Sequence, residues 1–297
     1  MTIYRHTLFV LVIVSKTGTA LATEGGGSIY PLGAEEYICC ALPKPGVYGM
    51  LWGRHYSADK IRDNEGDVVS HPSFKVTASA IVPRIVWITP VKIIGASLGF
   101  HTIMPIVNLN VKVAPEVSQN KAGIGDMTVG GVLGWQLSNK LHSVVALDLF
   151  APTGNYHKDN IANIGRNYWA IQPVLGITRI DPIGLNMGIK AMWTYNLQNK
   201  DTNYLSGQEL IIDYTLGWGV GRGWVLGIGG YAYWQVTSDS QNSESVTNNK
   251  GHAYAIGPSM RYDSGRGWFI TGKYQIDGAV RNRADGTAFW LKAVLPF

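Results

Sequence analysis

No stretch of this 297-residue sequence approaches the roughly 18 to 20 consecutive apolar residues that a membrane-spanning helix needs, so a helical inner-membrane protein is excluded. Spanning by strands stays open, because strands need no such run. Charge is also scarce, at 15% of residues. The formal net charge of +5 shrinks further once Arg5 and Lys16 are assigned to a leader, and so thin a positive excess makes no phosphate-binding patch. No nucleic-acid partner is expected. Only two cysteines occur, the adjacent Cys39 and Cys40. Neighbouring cysteines rarely pair with each other, and two thiols make neither a disulfide framework nor a four-ligand zinc site, so both are read as small residues without a redox role.

Chemistry-bearing motifs are missing as well. The histidines beyond the leader, His55, His71, His101, His142, His157 and His252, include no pair at H-x-x-x-H spacing, so neither a metal nor any other cofactor is expected. There is no G-x-S-x-G elbow and no Walker loop, and the run Gly217 to Gly223 lacks the spacing of a dinucleotide fingerprint. Spacing alone does not exclude a Ser, His and carboxylate gathered from distant strands.

What is present is 36 Gly, 10 Trp and 15 Tyr. A mean hydropathy of +0.03 shows apolar and polar residues finely mixed. Residues 1–22 read as a signal peptide: Arg5, an apolar stretch Thr7 to Val14, and the small-x-small site Ala20-Leu21-Ala22, with Lys16 an unusual charge before the cleavage point. No lipobox cysteine follows the apolar stretch.

Beyond residue 45, large apolar side chains occupy alternate positions over segments of about 10 to 15 residues, the span and pattern of a tilted transmembrane strand. In Leu185 to Asn196, for example, Leu185, Met187, Ile189, Ala191, Trp193 and Tyr195 alternate with Asn186, Gly188, Lys190, Met192, Thr194 and Asn196. Successive side chains of a strand point to opposite faces, so one face suits lipid and the other does not. The pattern predicts strands near 46–56, 73–88, 93–107, 123–138, 141–151, 166–179, 184–197, 208–218, 223–235, 252–262, 266–276 and 287–297. Long polar connections alternate strictly with tight turns such as Ser138-Asn139-Lys140 and Asp263-Ser264-Gly265. An even number of strands with loops sorted by length is the organisation of an outer-membrane β-barrel, so the expected fold is all-β, an antiparallel up-and-down transmembrane barrel of about twelve strands over 46–297.

The tryptophans sort in the same way. Trp87, Trp135, Trp218, Trp224 and Trp268 fall beside short turns, and Trp169, Trp193 and Trp234 near long loops, which predicts two membrane-interface girdles. Trp224 and Trp234 are ten residues apart on one strand. At ~3.3 Å per residue and a tilt of ~45° this gives a rise of roughly 23 Å, close to the apolar band of about 25 Å in such barrels. The alternating end Phe289, Leu291, Ala293, Leu295, Phe297 resembles the signal read by the outer-membrane assembly machinery, with Phe297 as its terminal aromatic.

About twelve strands leave a narrow pore or a ligand-sized cavity. Alternation assigns Asp126, Gln136, Asp148, Gln172, Lys190, Glu209, Asp213, Tyr231, Tyr233, Arg261, Lys273 and Gln275 to the lumen. Their charges either line a substrate path or neutralise one another in a closed barrel. Tyr231 and Tyr233, near Gly227 and Gly229, are expected to offer an aromatic surface with room beside it. The Gly/Pro-rich segment 23–45 is a disordered lead-in in preference to a plug in the periplasmic mouth.

Several short stretches resemble the outer-membrane protein family named for the meta-pathway of phenol degradation: Glu24-Gly25-Gly26-Gly27-Ser28 with Tyr30, Tyr56-Ser57-Ala58, Pro152-Thr153-Gly154-Asn155-Tyr156, Asn163 to Trp169, and Asn203-Tyr204-Leu205-Ser206-Gly207. Cys39 and Cys40 match none of its motifs. The resemblance implies a barrel that passes small hydrophobic or aromatic compounds across the outer membrane, with the two motif-bearing long loops shaping its external mouth. Alternatives are a structural or surface-exposed barrel, such as an adhesin or receptor, and a barrel enzyme. The partners expected are outer-membrane lipid and lipopolysaccharide, the outer-membrane assembly machinery, and a small hydrophobic solute.

Overall fold

The computed structural model describes residues 22–296, so most of the signal-peptide reading and the terminal Phe297 lie outside the described residues. The strands are β1 (Gly46–Arg62), β2 (Lys75–Ile93), β3 (Ala96–Ile103), β4 (Ile106–Ala114), β5 (Val117–Ile124), β6 (Met127–Gln136), β7 (Leu141–Ala151), β8 (Ala170–Arg179), β9 (Leu185–Asn196), β10 (Tyr204–Leu205), β11 (Glu209–Gly221), β12 (Trp224–Gln235), β13 (Ser240–Gln241), β14 (Glu244–Ser245), β15 (His252–Asp263), β16 (Phe269–Arg281) and β17 (Arg283–Pro296). Twelve of them close a ring in the order β1-β17-β16-β15-β12-β11-β9-β8-β7-β6-β3-β2, with β2 returning to β1. Every pairing in the ring is antiparallel, so no strand edge is left open along it.

The alternating pattern explains the two faces. On β9 the even positions are buried, while Leu185, Ile189 and Tyr195 are exposed on the outside; on β11 the odd positions from Glu209 to Thr215 are buried, while Leu216 and Trp218 are exposed. Outward apolar side chains with a polar interior are what lipid demands of a barrel wall.

Three connections depart from the expected ones. The segment 108–122 is not a loop: β4 and β5 form a hairpin, with β4 continuing the line of β3 past Met104-Pro105 and pairing with the first residues of β2. The stretch 277–286, expected as a long connection, is almost all strand, and β16 reverses into β17 at Asn282, whose φ is 53°. An asparagine tolerates that left-handed conformation, so strict sorting of loop length fails at this one reversal. The turn after β2 lies at Ile94-Gly95, both with positive φ as a two-residue primed hairpin turn requires. Trp87 therefore lies well above the turn and packs instead on Phe100 of β3, with ring centroids 6.0 Å apart.

At the end carrying the short turns, Asp181 fixes the reversal between β8 and β9. Its carboxylate accepts Lys140 Nζ at 2.7 Å, a bond that holds the carboxyl below its usual range. At the opposite end β10, β13 and β14 make a small sheet within the long loops.

Candidate functional site in the barrel lumen

Residues 23–45 are neither a disordered lead-in nor confined to one mouth. They descend the lumen from the long-loop end, where Thr23 N donates to Asp239 Oδ2 at 3.1 Å, to the short-turn end, where Leu42 packs against Gly134 of β6. The wall is shaped to receive them. A Cβ on Gly188 would sit 2.4 Å from the carbonyl oxygen of Glu36, and one on Gly227 would sit 2.7 Å from the Tyr37 hydroxyl. Glycines that read as thin lumen-facing positions are thin because the segment passes there.

Charge fixes the segment in place. Asp213 of β11 accepts the Tyr30 hydroxyl at 2.6 Å, Gly33 N at 2.9 Å and Glu35 N at 3.0 Å. Glu35 is buried among three cations: Lys190 at 3.2 Å, Arg84 at 3.5 Å and Lys292 at 3.7 Å. Glu36 pairs with Lys292 at 2.8 Å, and Lys273 Nζ donates to the carbonyls of Gly33 and Glu35. A buried charge is costly unless paired and hydrogen-bonded, so these matched sets specify where the segment sits.

Of the residues assigned to the lumen from alternation, Lys190, Asp213, Lys273 and Gln275 hold the segment, Gln275 also accepting Trp290 Nε1 at 3.0 Å. Gln172, Glu209 and Arg261 satisfy wall partners: Thr194 at 2.8 Å, Asn196 at 3.0 Å and Asp263, respectively. Asp148 lies 3.2 Å from His101 Nε2, and Asp126 accepts Gly154 N at 2.9 Å and Arg166 N at 2.6 Å. Gln136 lies outside the expected lumen: it shares the inward phase but is exposed at the rim, because β6 ends there. The expected space beside Tyr231 and Tyr233 is also absent, because both are buried in a packed cluster with Tyr30 and Leu32. Of the girdle tryptophans, Trp87, Trp135, Trp193, Trp218, Trp224 and Trp234 fall on the outward phase of their strands, and Trp169 and Trp268 immediately precede β8 and β16 in that same phase.

Open space lies on the opposite wall. A cavity of about 240 Å³ separates residues 28–35 of the lumen segment from β1, β2, β3, β6 and β7. Ala78, Ala80 and Val82 of β2, with Ile103, Val107 and Leu109, give it an apolar lining, while Arg54, Arg84, Lys190 and Asp148 supply charge. Trp52 and Trp290 line it too, and alternation missed them. On β1 and at the chain end both faces are apolar, so neither phase stands out as the inward one.

Above the cavity, separate short motifs converge. Glu24 accepts Thr202 Oγ1 at 2.7 Å, Asn199 Nδ2 at 2.9 Å and the Tyr156 hydroxyl at 3.2 Å, and its N donates to Ser206 Oγ at 3.0 Å. Arg166 donates to the carbonyl oxygens of Glu24 at 3.1 Å and Ser28 at 3.5 Å. The loop 152–169 also covers the free edge of β5, where Gln119 accepts Ala162 N at 2.8 Å and donates to Asn160 at 2.8 Å.

Comparison with known proteins accords with this geometry. The family described as "Putative MetA-pathway of phenol degradation" matches residues 58–293. The chain belongs to this family. Among solved structures, an outer membrane channel from Pseudomonas putida F1 superposes with a TM-score of 0.79 at 18% identity, over 91% of this chain and all of that one. The transport unit of the autotransporter AIDA-I from Escherichia coli gives 0.51 at 9% identity, over 86% of this chain and 91% of that one. At these identities the likeness establishes the fold, that of an outer-membrane β-barrel. No curated protein matches the chain.

Proposed function

We propose that this family member is a channel of the outer membrane for small hydrophobic or aromatic compounds and that it is not an enzyme. The observation that carries this reading is the cavity between the lumen segment and the β1–β3 wall, apolar over most of its surface and enclosed within a barrel. At about 240 Å³ it is smaller than the pockets of roughly 300–1,000 Å³ that hold drug-sized ligands, so it suits a single ring or a short chain. The naming of the family for phenol degradation and of the Pseudomonas putida relative as a channel agrees with this use. In this reading residues 1–22 are an export signal, the short turns face the periplasm, and the loops 152–169 and 197–208 shape the outer mouth by holding Glu24.

The second reading is a closed structural barrel, favoured by the ion pairs that seat Glu35 and Glu36 in the lumen. Single-channel recording of the folded protein in planar bilayers, with and without phenol, separates the two. Discrete openings that phenol blocks are expected of a channel. A folded barrel that stays silent with and without phenol would mean a structural role.

A further inference from the structure

We propose that the cavity selects an organic acid, an apolar body carrying one carboxylate, and that Arg54 is its anion contact; this rests on the channel reading and names the class of solute. Arg54 lies on the inner face of β1 between Ala80 of β2 and Trp290 of β17, and its guanidinium lines the cavity. The Tyr56 and Trp290 rings flank it, each centroid 5.1 Å from Cζ. Its Nε is buried without a hydrogen-bond partner, and among the described residues the Arg54 side chain makes no hydrogen bond and no ion pair.

The other cations at the cavity already have partners. Arg84 lies 2.9 Å from His101 Nδ1 and 3.5 Å from Glu35, Lys190 lies 3.2 Å from Glu35, and Arg166 is bound to the backbone of the lumen segment. Of the acids, Asp126 accepts two backbone amides, while Asp148 lies 3.2 Å from His101 Nε2 without a hydrogen bond between the facing atoms. The nearby Asp277 accepts Tyr231 at 2.7 Å, Tyr56 at 3.2 Å and Gly286 N at 3.2 Å, and forms no ion pair with Arg54. One cation is therefore left over, held by aromatic faces and aimed at an apolar space.

A guanidinium held this way presents a planar fork that matches a carboxylate, and charge-assisted bonds of this kind are among the strong ones. Inorganic anions would meet the charge but leave Ala78, Ala80 and Val82 without an apolar partner. An acid with a ring or short chain satisfies both halves of the lining.

Calorimetric titration of the folded full chain in detergent, with benzoate and with its neutral isostere benzamide, tests this. Benzoate is expected to bind about tenfold or more tightly than benzamide, the scale of one charge-assisted hydrogen bond. The preference should disappear in Arg54→Met and persist in Arg54→Lys, with heat-modifiable migration on gels showing each barrel folded. Equal binding of the two compounds, a preference that survives Arg54→Met, or no binding of benzoate would each overturn the proposal. Equal binding would leave the channel for apolar solutes standing, whereas failure of the channel reading is a silent trace in the bilayer experiment.

Discussion

The Tyr30 hydroxyl lies 2.6 Å from Oδ2 of Asp213, joining the middle of the lumen segment to the inner face of β11. The same carboxylate accepts two backbone amides of that segment, so one wall residue fixes its path across three contacts. Asp213→Asn keeps the shape but exchanges an acceptor for a donor. Loss of charged hydrogen bonds at about 1.5–3 kcal/mol each is enough to unseat the segment while the wall stays closed. Limited proteolysis of the folded barrel should then cut within residues 23–45 of the variant and spare the parent; equal resistance would refute the anchoring role.

Glu35 is one carboxylate among Lys190, Arg84 and Lys292. Glu35→Gln leaves these cations facing the lumen with their shared partner neutralised, and breaking a buried ion pair costs about 3–5 kcal/mol. A lower thermal midpoint is expected, together with a reversal potential shifted toward anion selectivity under a salt gradient. An unchanged selectivity would show that ions do not pass these residues.

Cys39 and Cys40 lie on the lumen segment against Thr178 of β8, where Cys39 Sγ is 3.3 Å from the Thr178 hydroxyl. Maleimide labelling should be slow in the folded parent, faster in Asp213→Asn, and fastest in urea. Equal rates in the parent and in urea would mean that the segment does not occupy the lumen.

Gly154 and Gly165 cross in the loop over β5, and a Cβ on Gly154 would stand 2.6 Å from Gly165 Cα. Both belong to stretches by which the sequence resembles its family. Gly154→Ala should lift the loop from Gln119, seen as new protease cleavage within 152–169 with the barrel still heat-modifiable. A loop as resistant as the parent's would contradict the close crossing.

Legibility in the sequence followed the solvent on each side of a strand. From β8 to β12 the outer face meets lipid and the inner face meets polar partners, so alternation located Gln172, Lys190, Glu209 and Asp213 on the inside. Where the cavity lies, Trp52 and Trp290 put apolar surface on the inner face as well, and the phase is lost. The hairpin β4–β5 carries Asn108, Asn110, Gln119 and Lys121 and extends beyond the closed ring, so it reads as a loop. The path of residues 23–45 depends on acids and cations far away in the chain, and no local pattern carries that information.

In the channel reading, solute passes through the space between the lumen segment and the β2 wall. Ala80 lines that space, and Ala80→Trp fills it without altering charge. Uptake of phenol into proteoliposomes is the most direct measurement. The variant is expected to fold but to carry phenol no faster than protein-free vesicles, whereas uptake equal to the parent's would show that solute does not pass there.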